Sequence, residues 1–152
     1  MNHHLAQLNV ARLAEPPGSE SNTEFFAVLD AVNAIAEVSP GFVWRLKDES
    51  GLSSAYISGG DDPQLIINMT VWESVEALTH YAYRSGHGSY FRRRKEWFEP
   101  ANGIPSTVCW WIEQGTVPTA DDGLARLESL RADGPSVDGF FINDPKPAPA
   151  AG

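Results

Sequence analysis

Four stretches of the chain alternate apolar and polar residues with a period of two, and several others repeat apolar residues at helical spacing. His4–Leu13 (HLAQLNVARL) reads as a first strand. Leu5, Gln7, Asn9 and Ala11 share one face of it, and Ala6, Leu8 and Val10 the other. Phe42–Lys47 (FVWRLK) reads as a second strand, with Phe42, Trp44 and Leu46 on one side and Val43, Arg45 and Lys47 on the other. In Gln64–Trp72, Asn68, Thr70 and Trp72 oppose Ile67, Met69 and Val71. In Ser106–Glu113, Val108, Trp110 and Ile112 oppose Thr107, Cys109, Trp111 and Glu113. Helical spacing of Phe25, Val28, Leu29, Val32, Ile35 and Ala36 predicts a helix over Thr23–Val38, opened by a capping box of Ser21 with Glu24 and stopped by Pro40-Gly41. Ser74 caps a second helix over Val75–Tyr83, with Glu76 in its first turn suiting the helix dipole. A further helix is predicted from about Ser89 to Phe98. Another starts at Thr119, carries Leu124, Leu127 and Leu130, and ends near Gly134. Ala55–Ser58 is read as extended and Gly139–Ile142 as a short last strand.

The order β-α-β-β-α(α)-β is that of an α+β fold, the ferredoxin-like split βαβ with a four-stranded antiparallel sheet. First and third strands are central neighbours in such a sheet, so Gln7, Asn9 and Asn68 are expected in one polar patch. Large apolar residues stand on both faces of these strands, and the expected helices suffice for one face only. A face-to-face homodimer is the expected way to cover the other, because apolar burial is worth about 25 cal/mol per Å². Residues 3–142 read as one domain. Residues 143–152 read as a disordered Pro/Ala-rich tail.

Composition narrows the function classes. The 152 residues carry a net charge of −9, which argues against a nucleic-acid partner. No stretch reaches the ~20 apolar residues of a membrane span, and no secretory signal is visible at the start. A single cysteine, Cys109, forbids an internal disulfide and any cysteine-based zinc site, which suits a cytoplasmic location. The histidines show no metal-ligand spacing, so no metal is expected. There is no GxGxxG and no phosphate loop, so no nucleotide cofactor is expected either.

Candidate chemistry gathers on the third strand and just beyond it. His87 stands in a Ser-Gly-His-Gly break, placed either as a general base, as an axial haem ligand, or as a solvent-facing or capping residue. Asn68 lies between apolar neighbours; it either orients a substrate oxygen or bonds to a nearby loop. Trp72 and Trp111 offer flat surfaces to an aromatic ligand, though core or interface packing is the commoner use of tryptophan. Tyr83 and Tyr90 are candidate hydrogen-bond donors to the same pocket, with Gln7 and Asn9 on its floor. Arg92 belongs to the run Arg92–Lys95, which covers nearly a full helical turn. Such a run is usually a solvated face, with one arginine free to turn inward toward an acidic group.

The passage NMTVWESVEALTHYAYRSGH resembles the dimeric α+β barrel superfamily that includes the antibiotic biosynthesis monooxygenases. HLAQLNVARL, SPGFVWRL, YRSGH and RRRKEWF resemble, more narrowly, a bacterial family of uncharacterised proteins, a domain of unknown function in that superfamily. The resemblance covers about residues 3–142. It implies a homodimer whose subunits each hold a pocket between sheet and helices. It also implies a small-molecule ligand, aromatic or polyketide-like. In the quinone-forming members an asparagine and a tryptophan four residues apart on one strand serve the site; Asn68 and Trp72 have that spacing. The activities implied are cofactor-independent oxygenation, with polyketide cyclisation or isomerisation, a binding module, or haem use as alternatives. Function drawn from the fold alone is analogy.

Overall fold

Alternation becomes a sheet whose two faces carry different residues. A computed structural model describes residues 3–15, 20, 31, 33–46, 58–59, 62–84, 98–99 and 103–149. The strands are β1 (His3–Arg12), β2 (Phe42–Arg45), β3 (Ser58–Gly59), β4 (Asp62–Trp72) and β5 (Thr107–Glu113). The helices are α1 (residues 31 and 33–38), α2 (Val75–Arg84) and α3 (Ala120–Asp133). The sheet order is β2-β4-β1-β5, and the two-residue β3 folds back onto β4. Every pairing is antiparallel. Four main strands in this order, with the first and the long β4 central, make the ferredoxin-like α+β fold that the sequence predicts.

Register sets which side chains meet. Across β4, β1 and β5, Trp72 stands opposite Leu5 and Leu5 opposite Trp111. Two residues along, Thr70, Gln7 and Cys109 form the next row, and then Asn68, Asn9 and Thr107. These three rows share one face. Val71, Ala6 and Trp110, followed by Met69, Leu8 and Val108, form the opposite face.

β2 departs from the strict alternation expected of it. Phe42 pairs with Trp72 and Trp44 with Val71, so Val43 is an extra residue, a β-bulge. The bulge puts Phe42 beside Trp72, sends Trp44 and Leu46 to the opposite core, and brings Arg45 opposite Thr70. Phe42, Trp44 and Leu46 therefore do not share a face. Gly41, which precedes the bulge, needs to be glycine twice over. Its φ is +81°, and a Cβ there would lie 2.5 Å from the Cβ of Ala77 on α2.

α1 and α2 lie over the face with Trp72. Ala36, Leu78 and Tyr81 pack there with Leu5, Trp72, Cys109 and Phe140. The opposite face is covered by α3. Leu127 and Leu130 join Ala6, Leu8, Val10, Ile67, Met69, Val71, Val108, Trp110 and Ile112 in one core. The expectation that one chain has helices for a single face is thus corrected: the C-terminal helix lies on the second. Gly123 lets it approach, since a Cβ there would sit 2.6 Å from Leu8 Cδ1 and 3.1 Å from Trp110. Thr119 caps α3 as its sequence predicts, accepting from the Asp122 N–H at 3.1 Å, and the Gly134 N–H closes the other end on the Leu130 carbonyl.

Two further expectations need adjusting. Phe98 does not end a helix but bridges Leu13, with Glu99 N–H donating to the Arg12 carbonyl. Residues 139–142 form no regular strand; Phe140 makes an isolated bridge to Cys109. Past residue 143 the Asp144 N–H donates to the Phe141 carbonyl at 3.0 Å, and the Lys146 carbonyl accepts from Trp111 Nε1 at 2.8 Å.

Candidate functional site

The face beneath α1 and α2 grades from aromatic to polar along the strands. At one end Trp72 is fully buried, with Phe42 edge-on at 5.6 Å and Tyr81 stacked at 4.9 Å between ring centroids. Trp72 Nε1 donates to Thr70 Oγ1 at 2.9 Å, and that hydroxyl donates to Gln7 Oε1 at 3.0 Å. This chain satisfies the indole and fixes Gln7 with its amide nitrogen outward. In the next row Asn9 Nδ2 donates to Thr107 Oγ1 at 2.8 Å, which leaves the Asn9 carbonyl as an acceptor. Asn68 lies directly opposite Asn9, is half-buried, and forms no hydrogen bond with the described residues. Gln7, Asn9 and Asn68 do make one polar patch, and Gln7, Asn9, Asn68 and Thr107 are all only half-buried.

Arg45 borders this floor on the β2 side. It stands opposite Thr70, is 7% exposed, and its Nε lies 3.5 Å from Glu37 Oε2 on α1. Burial raises the Tyr81 phenol well above its ordinary pKa, and the Arg45 charge acts against that rise. The phenol is therefore protonated and able to donate at neutral pH. Asn33 and Ala36 are one turn apart on α1, and Ala36 packs into the core under that helix. Asn33 is 3% exposed, and its Nδ2 has no hydrogen-bond partner.

The other residues singled out from the sequence are dispersed. Trp72 belongs to the same face, but its ring is covered by Tyr81. Trp111 stands two rows from Asn68, tilted against Phe140, with its N–H taken by Lys146. Tyr83 lies on α2, though its side chain falls outside the described residues, as do His87, Tyr90 and Arg92 altogether. His4 points to the α3 face with Ala6 and Leu8, and His80 is exposed. Cys109 is packed as a small apolar residue, its thiol pushed up to about 12 by burial. No group of three or more metal-binding side chains occurs among the described residues.

Thr70, Thr107 and Arg45 complete the site beyond what sequence reading named. Thr70 and Thr107 share parity with Asn68 and Cys109 and were legible as strand polar residues; nothing local marks Val43 as the extra residue that turns Arg45 toward them. A cleft of about 250 Å³ lined by Val10, Leu65, Leu124, Leu127, Glu128 and Arg131 lies on the other side of the sheet, against α3, and is not part of this floor.

The chain is similar to several solved structures. A protein of Shewanella oneidensis, SO0527, superposes with a TM-score of 0.52 at 10% identity, covering 75% of this chain and 93% of its own. SnoaB, a cofactor-independent oxygenase from Streptomyces nogalater, matches with a TM-score of 0.48 at 14% identity, over 79% of this chain and 98% of that one. A dabb-family protein with a ferredoxin-like fold from Mesorhizobium loti gives 0.42 at 17% identity, over 77% and 99%. Curated proteins give no match. The family described as a domain of unknown function, DUF3291, matches residues 4–152. With nearly its whole length matched, the chain belongs to the DUF3291 family.

Proposed function

We propose that the protein acts on a small aromatic or polyketide-like molecule bearing an ionisable hydroxyl, held against the half-buried polar rows beneath α1 and α2. The observation that carries this reading is Asn68. Its neighbours Asn9 and Thr107 bond to each other, while its own side-chain amide, half-buried, has no partner among the described residues. An amide N–H in that position is suited to an anionic oxygen.

The reaction proposed is cofactor-independent oxygenation. His87, in the break after α2, serves as the base that removes the hydroxyl proton. The resulting anion delivers electrons to dioxygen, and a carbon–oxygen bond forms to give a hydroperoxide. Loss of water breaks the O–O bond and leaves a ketone or quinone, so one O2 is consumed and one water released. The Asn68 amide holds the anionic oxygen while charge moves into the ring. Oxygen uptake with 1,8-dihydroxyanthrone tests the reading. The expected result is one O2 per quinone formed, with turnover lowered by about 10²–10⁴ in His87→Ala and by a smaller factor in Asn68→Ala. Absence of uptake above the uncatalysed rate, or full activity in both variants, would refute it.

The working unit proposed is a homodimer. Although α3 lies on the second face, Trp44, Leu46, Leu65 and Leu124 remain only partly buried along its β2–β4 half. That strip is the apolar surface available to a second copy. Light scattering at micromolar concentration should give twice 16.6 kDa; a monodisperse monomer would count against it.

A further inference from the structure

We infer that the outer edge of β5 is a strand-addition surface for a second copy of this chain, and that residues 139–146 lie across it as a guard. This holds whatever ligand the face beneath α1 and α2 takes.

An open sheet ends on two strands whose outward N–H and C=O groups are free to pair with another chain. At one end β2 has four residues and carries the bulge at Val43, and both features blunt an edge. β5 has neither. Its seven residues, TVCWWIE, pair with β1 in unbroken register and contain no proline, no glycine and one charge. Such a run adds readily to another chain when its edge is exposed. One contact shows which of its backbone groups point outward. The Cys109 N–H donates to the Phe140 carbonyl at 2.8 Å, and the Cys109 carbonyl accepts from the Phe140 N–H at 2.9 Å. Thr107, Trp111 and Glu113 share the parity of Cys109, so their backbone groups also point away from β1. The Glu113 carbonyl closes a turn by accepting from Thr116 at 3.1 Å. The backbone groups of Thr107 and Trp111 have no partner among the described residues.

The C-terminal segment crosses this edge instead of extending it. After α3 ends at Gly134, a tight turn closed between Ser136 and Gly139 at 2.8 and 3.2 Å returns the chain to β5. Arg126 holds the turn by donating to the Asp138 carbonyl at 2.7 Å. Gly139 passes so near β5 that a Cβ there would lie 3.1 Å from Val108 Cγ2, on the α3 side of the sheet. Phe140 is fully buried on the other side, packed with Cys109 and tilted against Trp111. Beyond it the turn from Phe141 to Asp144 stops any ladder, and the Lys146 carbonyl takes the Trp111 indole N–H. Pro145, Pro147 and Pro149 offer no N–H to a further strand. Among the described residues, Phe140 alone pairs with the edge, while its ring and the proline-rich stretch cover the rest. Two unguarded copies would pair β5 to β5 about a two-fold at Trp110, with Cys109 opposite Trp111 and Thr107 opposite Glu113.

Light scattering over a range of concentrations tests this on a chain ending at Asp138. At equal concentration the shortened chain should reach at least about twice the mass of the full chain, the result of one added two-fold contact. Trp111→Pro in the shortened chain should reverse that gain, because proline removes an outward N–H and leaves the ladder with β1 intact. Equal masses for the full and shortened chains would overturn the inference, as would a gain that Trp111→Pro leaves in place. If the shortened chain fails to fold by circular dichroism, Gly139→Val in the full chain decides in the same way, since its side chain meets Val108 and lifts the guard from the edge. Hydrogen exchange on the unaltered protein adds a check that needs no variant. The Cys109 amide should be protected by its bond to Phe140, and the Trp111 amide should exchange freely. A protected Trp111 amide would mean that the edge is already paired, and the guard role would fall.

Discussion

The two faces of the sheet are built from neighbouring residues of the same strands, yet they are packed for different purposes. Against α3, Leu8, Met69, Val108 and Trp110 are all fully buried, and the helix comes close enough that Gly123 cannot carry a Cβ without displacing Leu8. Against α1 and α2, among the described residues, Trp72 and Cys109 are fully buried, whereas one row beyond Cys109, Asn9, Asn68 and Thr107 are half-buried and polar. The first face gains stability from dense apolar contact, about 1.5–3 kcal/mol for each large side chain buried. The second gives up part of that to keep neutral amides and one arginine in place. A period of two lets a single strand serve both, because every residue that stabilises one side alternates with one exposed to the other.

Adjacent residues of β1 break this comparison most sharply. Leu8→Ala should lower unfolding free energy by about 2–5 kcal/mol, from lost transfer energy plus the cavity left behind. Gln7→Ala removes one hydrogen bond from Thr70 and should lower it by about 0.5–1.5 kcal/mol. Urea denaturation of the two variants is the measurement, and similar losses from both would mean that the faces are not energetically distinct.

A smaller difference separates the two buried tryptophans. Trp72 donates to Thr70, whereas Trp110 Nε1 is buried with no acceptor. Trp110→Phe removes an unsatisfied donor along with some packing and the contact of Arg126 over the ring at 5.4 Å. Trp72→Phe instead severs the chain that runs from the indole through Thr70 to Gln7. It should therefore be the more destabilising of the two by about 1–3 kcal/mol. The reverse order in thermal melts would show that the hydrogen-bonded chain contributes little.

Much of the fold was legible because it depends on alternation and capping. The faces of β1, β4 and β5, the Thr119 cap and the pairing of the first strand with the long central one all follow from residue order and turn chemistry. The polar patch followed too, since Gln7, Asn9 and Asn68 needed only the neighbour relation of two strands. Two things were not legible. The position of α3 depends on Gly123 meeting Leu8, a contact between residues more than a hundred positions apart. Arg45 was hidden by the bulge, because FVWRLK alternates well enough to suggest a regular strand. His87 falls outside the described residues, so its place relative to Asn68 rests on the experiments above.

The bulge also bears on how such a site could diverge. A β2 that kept Val43 but straightened out the bulge would return to simple alternation. Phe42 and Trp44 would then face the same helices, and Arg45 would be turned into the apolar core, where a lone guanidinium is untenable. A strand straightened without losing a residue would need another side chain at this position. One extra residue in an edge strand thus decides which side chain borders the polar rows, while the three other main strands keep their register unchanged.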